Sequence, residues 1–374
     1  MNVDSNPLTV APSKSYQKNA DSFLQELPEQ YQLLGCVGEG GMGSVFKAQN
    51  RYTGSQFAIK VMRFEFARDP EAWRRFAFEA KAASLLKHPH ICQVHDFGLS
   101  KNGMPYLVMD WIDGISLEEK VLKEKRLTSD EGIEIFQQVA AALAHAHQHK
   151  VIHRDIKPHN IMISQDQSKN LNVHIVDFGL AKAFQDENNS SQSHGLTQTG
   201  TIVGSPMYMS PEQARATNID KRTDIYSLGC VMYFAFTGDA PFAGASSMDI
   251  ISKHLNELPP VIDPALKISA DLKMIIFNAM EKKPRDRYQS MEQLALDLDK
   301  LEKGVRLKHR VLSGEKLSFR RRLIIGLSFI LAFLITYAIS VGLQNLIDSS
   351  NPHADTKLSG DQKHLAPIKL EKKQ

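Results

Sequence analysis

The stretch His153-Arg154-Asp155-Ile156-Lys157-Pro158-His159-Asn160 decides how the rest of the chain is read. It follows an apolar Val151-Ile152 and precedes Ile161-Met162-Ile163, so it reads as a polar loop between buried segments. The loop gathers a carboxylate able to act as general base (Asp155), a cation (Lys157) and an amide oxygen able to ligate a metal (Asn160). Moving a phosphoryl group from a nucleotide needs those three chemistries together, because the work is positioning and charge neutralisation around Mg²⁺.

Upstream, Tyr31 to Val37 followed by Gly38-Glu39-Gly40-Gly41-Met42-Gly43-Ser44-Val45 reads as strand, glycine turn, strand. Glycines let a backbone come close to phosphates and present N–H donors. The same spacing occurs in dinucleotide sites, where a helix follows the glycines. Here Ser44-Val45-Phe46-Lys47-Ala48 has strand composition, which favours a hairpin lid. In Gln56–Met62 the alternation puts Ala58 and Lys60 on one face and Phe57, Ile59 and Val61 on the other. Lys60 in an apolar strand needs a partner charge, unless it lies on an edge with its head in water. From Pro70 to about Lys87, Trp73, Phe76, Ala80, Ala83 and Leu86 recur at helical spacing. Glu79 lies within that face and is the expected partner of Lys60. Ile91–Gly98 and Pro105–Asp110 read as a hairpin, broken at Asp113-Gly114.

Beyond the central loop, a strand ends in Asp177-Phe178-Gly179, with Asp177 a second candidate metal ligand. A polar segment then runs to Ser210-Pro211-Glu212. Its length without periodicity is typical of functional loops. Helices are expected at Glu118–Lys125, Ser129–His149, around Asp224–Tyr233, and near Met248–Glu257, Asp271–Glu281 and Ser290–Lys303. Arg287 is a candidate buried partner for Glu212. His145, His147 and His149 do not all share one helix face, so they read as ordinary polar surface and packing rather than metal ligands.

Apolar residues make up 42% of the chain and charged ones 23%, an ordinary globular balance that predicts a sizeable core. A net charge of +3 gives no argument for nucleic acid as a partner. Cys36, Cys92 and Cys230 lack CxxC spacing, which suits a reduced compartment. Residues 1–30 are polar, with no apolar signal core, and read as a disordered leader. Near the other end, Arg320-Arg321-Arg322 precedes Leu323 to Leu343, which carries no charge. About twenty apolar residues at a 1.5 Å rise suffice for a ~30 Å hydrocarbon core. The basic 304–322 side is expected in the cytoplasm and the 344–374 tail outside.

Taken in order, Gly38/Gly40/Gly43/Val45, Lys60, Glu79, His153-Arg154-Asp155 with Lys157 and Asn160, Asp177-Phe178-Gly179, Ser210-Pro211-Glu212, Asp224 and Arg287 form a specific set. The chain resembles bacterial eukaryotic-like (Hanks-type) membrane-anchored serine/threonine protein kinases over about Tyr31 to Lys303. The resemblance implies an α+β bilobal fold, with a small β-rich lobe at 31–111 and a large helical lobe at 112–303. ATP would lie between the lobes under Val37, Gly38, Glu39, Gly40, Gly41, Met42, Gly43 and Ser44. Val45, Ala58 and Met162 would enclose the adenine, with Met109 behind it and backbone near Asp110 and Ile112 bonding to it. Lys60 would hold the α/β-phosphates and pair with Glu79; Asn160 and Asp177 would bind Mg²⁺, with Mn²⁺ as a substitute. Asp155 would accept the hydroxyl hydrogen of a protein substrate while Lys157 steadies the γ-phosphate. Lys157 two positions after Asp155 resembles the Ser/Thr-specific pattern. Arg154 would bind a regulatory phosphate, with Thr197, Thr199 and Thr201 the candidate autophosphorylation sites. Glu212, Arg287 and Asp224 would be structural. A nucleotide-binding scaffold without turnover is the alternative, and the family also suggests a kinase-domain homodimer.

Overall fold

The computed structural model describes residues 27–40, 43–62, 70–166, 168–178 and 206–307, with Thr336, Tyr337 and Ile339 in helical conformation. Most of the leader, Gly41, Met42, Gly179, Thr197, Thr199, Thr201 and nearly all of 308–374 lie outside the described residues. Two compact units divide the chain, Met1–Ser313 and Gly314–Gln374. Among the described residues no helix is long and apolar enough to cross a membrane.

The small lobe is a five-stranded antiparallel sheet in the order β1-β2-β3-β5-β4. Its strands are β1 Tyr31–Gly40, β2 Gly43–Asn50, β3 Gln56–Met62, β4 Val94–Leu99 and β5 Pro105–Asp110. The glycine-rich stretch therefore joins two paired strands, Gly40 opposite Gly43, and no helix follows it. Gly43 is needed for packing: a Cβ there would overlap the Val61 carbonyl oxygen of β3. The alternation in β3 divides the apolar contacts in two. Ile59 and Val61 pack with Phe46, Tyr106 and Val108 on one face. Ala58 and Met62 join Phe76, Ala80 and Leu107 on the other. Helix α1 Pro70–Ser84 covers that second face, with Phe76, Ala80 and Ala83 buried. Strand β4 starts later than the sequence pattern suggests: Ile91 makes an isolated parallel bridge to Ile175, and the Cys92 N–H bonds the Ile175 carbonyl. The segment after α1 is thereby tied to the large lobe before the sheet resumes.

The large lobe holds α2 Leu117–Glu124, α3 Ser129–Gln148, α4 Pro211–Ala214, α5 Arg222–Thr237, α6 Ser247–Asn256, α7 Ala270–Ala279 and α8 Met291–Glu302. A small sheet, β6 Ile115–Ser116, β7 Ile161–Gln165 and β8 Leu171–Ile175, underlies the cleft. Ser116 caps α2 reciprocally with Glu119, and Thr128 caps α3 by accepting from the Glu131 N–H. Helix α5 is buried from Thr223 through Phe236, as an all-round apolar helix must be, and forms the axis of the lobe.

Arg287, fully buried, donates to both Glu212 oxygens at 2.7 Å and to the backbone carbonyls of Arg222, Glu281 and Lys282. This network joins α4 to α5 and to the segment before α8. Burial works to raise the Glu212 pKa, but the bonds and charge of Arg287 outweigh it and hold the carboxyl below its ordinary value. Replacing Arg287 by Ala strands a buried carboxylate and should cost about 3–5 kcal/mol in a urea melt, where a loss under about 1 kcal/mol would mark the pair as dispensable. A depressed folded pKa means the stabilisation is complete above the unfolded value of 4.5 and lost as pH falls through the folded one. The stability difference between wild type and Glu212→Gln is therefore expected to shrink below pH 4.5.

Candidate active site

The polar loop between α3 and β7 is built on a buried anion. Asp224, at the start of α5, is inaccessible to solvent, yet one oxygen accepts from the His153 N–H at 2.9 Å and from His147 Nε2 at 2.7 Å. Its other oxygen accepts from the Arg154 N–H at 2.8 Å. Burial tends to raise its pKa, and the His147 bond leads the opposing contributions that keep it ionised. Arg154 adopts φ +64°, a left-handed conformation that costs a non-glycine residue about 1–3 kcal/mol unless its surroundings hold it. Both sides of it are held: Asp224 takes its N–H, and Gln213 Nε2 donates to its carbonyl at 2.7 Å.

His153 is fully buried, its ring 4.6 Å from that of Phe178. Its Nδ1 accepts from the Asp155 N–H, so Nε2 carries the proton given to the Val176 carbonyl at 3.0 Å. Burial lowers its pKa, which keeps the ring neutral. His153 thus braces the loop against the turn that ends β8.

That loop presents the polar group. Lys157 Nζ donates to Asp155 Oδ2 at 2.8 Å. Asn160 Nδ2 donates to the Asp155 carbonyl at 2.9 Å and to Oδ2 at 3.3 Å, leaving Oδ1 for a cation. Asp177, at φ +61°, receives Lys60 Nζ on Oδ2 at 2.8 Å, while its Oδ1 is buried without a partner. Burial pushes the Asp177 pKa up, and the Lys60 charge and bond, with help from Lys157, bring it below the ordinary range. An orphaned carboxylate oxygen and an uncommitted amide oxygen are donors suited to a hard, oxygen-seeking cation such as Mg²⁺. Asn160 and Asp177 are the residues that would hold it.

One expected pair is exchanged for two others. Lys60 takes Asp177 rather than Glu79, whose Oε1 lies 3.8 Å from Arg154 Nη1. An ammonium with 12% exposure needs a carboxylate, and Asp177 lies within its reach. On the cleft roof, Ala58 pairs with Met109 across β3 and β5, and Val45 with Lys60 across β2 and β3. Met109 is buried, Val45, Met162 and Ile112 half-buried, and Val37, Gly38, Glu39 and Ser44 belong to the β1–β2 hairpin. The Asp110 carboxylate is occupied on β4, accepting from the Gln93 N–H at 3.1 Å and lying 2.6 Å from His95 Nε2.

Two supports escaped the sequence reading. His147 turns inward to Asp224, while the His145 and His149 rings lie together 4.3 Å apart. Gln213 has a visible signal, the Ser210-x-x-Gln213 capping box, which orients its side chain toward Arg154.

A protein kinase domain model matches residues 31–297. The serine/threonine-protein kinase PknB of Mycobacterium tuberculosis is 39% identical over 284 residues, 74% of this chain and 44% of that protein. PrkC of Bacillus subtilis is 38% identical over 270 residues, 72% of this chain and 40% of that protein. This chain therefore spans less than half the length of either relative. The crystal structure of the Mycobacterium tuberculosis PknI kinase domain, C20A_R136A double mutant, aligns with a TM-score of 0.58 at 27% identity, covering 73% of this chain and 96% of that one. With a bilobal fold, a loop braced by Asp224 and a family model spanning both lobes, the chain belongs to the protein kinase domain family.

Proposed function

We propose that this chain is a serine/threonine protein kinase that moves the γ-phosphate of ATP to protein hydroxyls. The observation that carries the reading is the polar set Lys60–Asp177, joining β3 to the turn after β8, and Lys157–Asp155–Asn160 on one braced loop. Asp155, a quarter exposed and held by two donors, accepts the hydroxyl hydrogen. Lys157, two positions on, supplies positive charge where charge builds on the transferred group. Lys60 orients the nucleotide phosphates, and Asn160 and Asp177 place the cation. Mg²⁺, when bound, neutralises phosphate charge; Mn²⁺ suits the same oxygen donors. The β1–β2 hairpin roof, from Val37 to Val45, excludes water from the nucleotide, with Ala58, Met109, Asp110, Ile112 and Met162 around the base.

Regulation follows from Arg154. Its guanidinium already faces an anion, Glu79, and phosphate on Thr197, Thr199 or Thr201 would compete for it through bidentate bonds. The 323–343 segment is read as a single membrane span with the kinase domain cytoplasmic, supported by its charge-free length and the arginines before it. Transphosphorylation within a kinase-domain homodimer belongs to the same reading.

With Mg-ATP, wild-type protein is expected to label itself and a basic acceptor protein. Lys60→Met should abolish transfer, and Asp155→Asn should slow it about 10²–10⁴-fold. ATP bound without any transfer by wild type would sink the reading. Autophosphorylation per molecule should slow on dilution if a homodimer is required, and a concentration-independent rate would remove that part. Carbonate washing of membranes should leave the full-length protein in the pellet, whereas its release would argue against a span.

A further inference from the structure

Imidazoles line the joint where the segment after α1 crosses the large lobe. His88 and His90 come from that segment, His145 and His149 from the end of α3, and His174 from β8. The His88 ring lies 5.2 Å from that of His145 and 5.4 Å from that of His90. His145 and His149 lie 4.3 Å apart, tilted by 39°. His145 is thus the middle of a stack that runs from one element to the other. Backbone bonds close the same joint. The Ile91 N–H donates to the His88 carbonyl at 3.0 Å, the Ile175 N–H to the His90 carbonyl and the Cys92 N–H to the Ile175 carbonyl, both at 2.9 Å. His90 Nδ1 adds a bond of 3.1 Å to the Val173 carbonyl.

The geometry of the stack resists a second proton on its two inner rings. His88 Nδ1 accepts from the His90 N–H at 3.2 Å, so its proton is on Nε2. A second proton would have to go to Nδ1 and would break that bond. His145 Nε2 is buried without a partner, so an imidazolium there would hold a donor with nothing to receive it. His149 Nδ1 donates to the His145 carbonyl at 2.8 Å, which keeps the outer ring against the inner one. The charges acting on His88 are those of His90 and His145, and on His145 that of His149. Asp110 of β5 acts on His174, Lys87 and Lys150 are exposed at the two ends, and Glu292 of α8 meets α3 at Gln148. Burial, with the neighbouring imidazoles behind it, lowers the pKa of both His88 and His145. Stability from a lowered imidazole is complete above the unfolded value of 6.5 and is lost as pH falls through the folded one.

We propose that the His88–His145–His149 stack is a pH-sensitive tie between the segment after α1 and the end of α3, closed near neutrality and loosened in mild acid. Neutral rings pack against one another, whereas imidazolium rings at these separations repel and draw in water. Helix α1 ends at Ser84, just before His88, and carries Glu79. Loosening the tie therefore frees the end of the helix that sets Glu79 near Arg154. The tie stands on its own contacts, whether or not the chain transfers phosphate.

The test is amide hydrogen exchange of the full-length protein between about pH 7.5 and pH 5.5, corrected for the intrinsic pH dependence of exchange. The amides read are Ile91, Cys92 and Ile175, which bond across the joint, with those of α5 as the internal reference. Protection at the joint is expected to fall about tenfold relative to α5. That is about the most that one imidazole of unfolded pKa 6.5 contributes at pH 5.5 when the fold keeps it neutral. His145→Phe keeps a ring in the middle of the stack and cannot titrate, so its loss should be under about threefold. Should that variant fail to fold, His145→Asn carries the same comparison. Joint amides that keep their protection, a loss shared equally by α5, or a variant that loses as much as wild type overturns the proposal.

Discussion

A single buried carboxylate organises the polar loop at 153–160. Asp224 sits in a helix buried from Thr223 through Phe236, where an unpaired charge would be prohibitive. Three donors offset that burial: two backbone N–H groups of the polar loop and one histidine from α3. The dependence is mutual, because the loop has no regular ladder of its own and Arg154 occupies a left-handed conformation. Take away the carboxylate and the loop loses the anchor that fixes where Asp155, Lys157 and Asn160 point. A charge in the core thus converts the rigidity of a helix into the precision of a loop.

Around that anchor the other charges partner one another. Lys60 holds Asp177, and Arg154 holds Glu79. The Glu212–Arg287 pair differs in kind. It is buried, doubly bonded, and surrounded by carbonyls that take the remaining guanidinium hydrogens, while Thr223 Oγ1 adds a further donor to Glu212. Exposure separates the two cases: Arg154 and Glu79 remain partly in solvent, where partners are replaceable.

Much of the fold was legible. The period of α1 named its buried face, the alternation in β3 named its two packing surfaces, and the strand after the glycines distinguished a hairpin from a dinucleotide turn. The polar cluster of residues 153–160 was legible because its chemistry is local, all within one loop. The partners of Lys60 and Glu79 were not. Lys60 and Asp177 are 117 positions apart, and which carboxylate the lysine meets depends on how α1 and the end of β8 are set across the cleft. His147 was misread for a related reason: spacing along a helix says which residues share a face, not which face lies against a buried carboxylate.

The sequence by itself determined the elements, the order of the motifs and the kind of chemistry they can carry, since those depend on residue type, period and short-range spacing. Tertiary structure decided the pairings: Lys60 with Asp177, Arg154 with Glu79, His147 with Asp224, and His88 with His145. Ion pairs and hydrogen bonds act over a few ångströms, and distances that short between remote residues exist only after the lobes have packed.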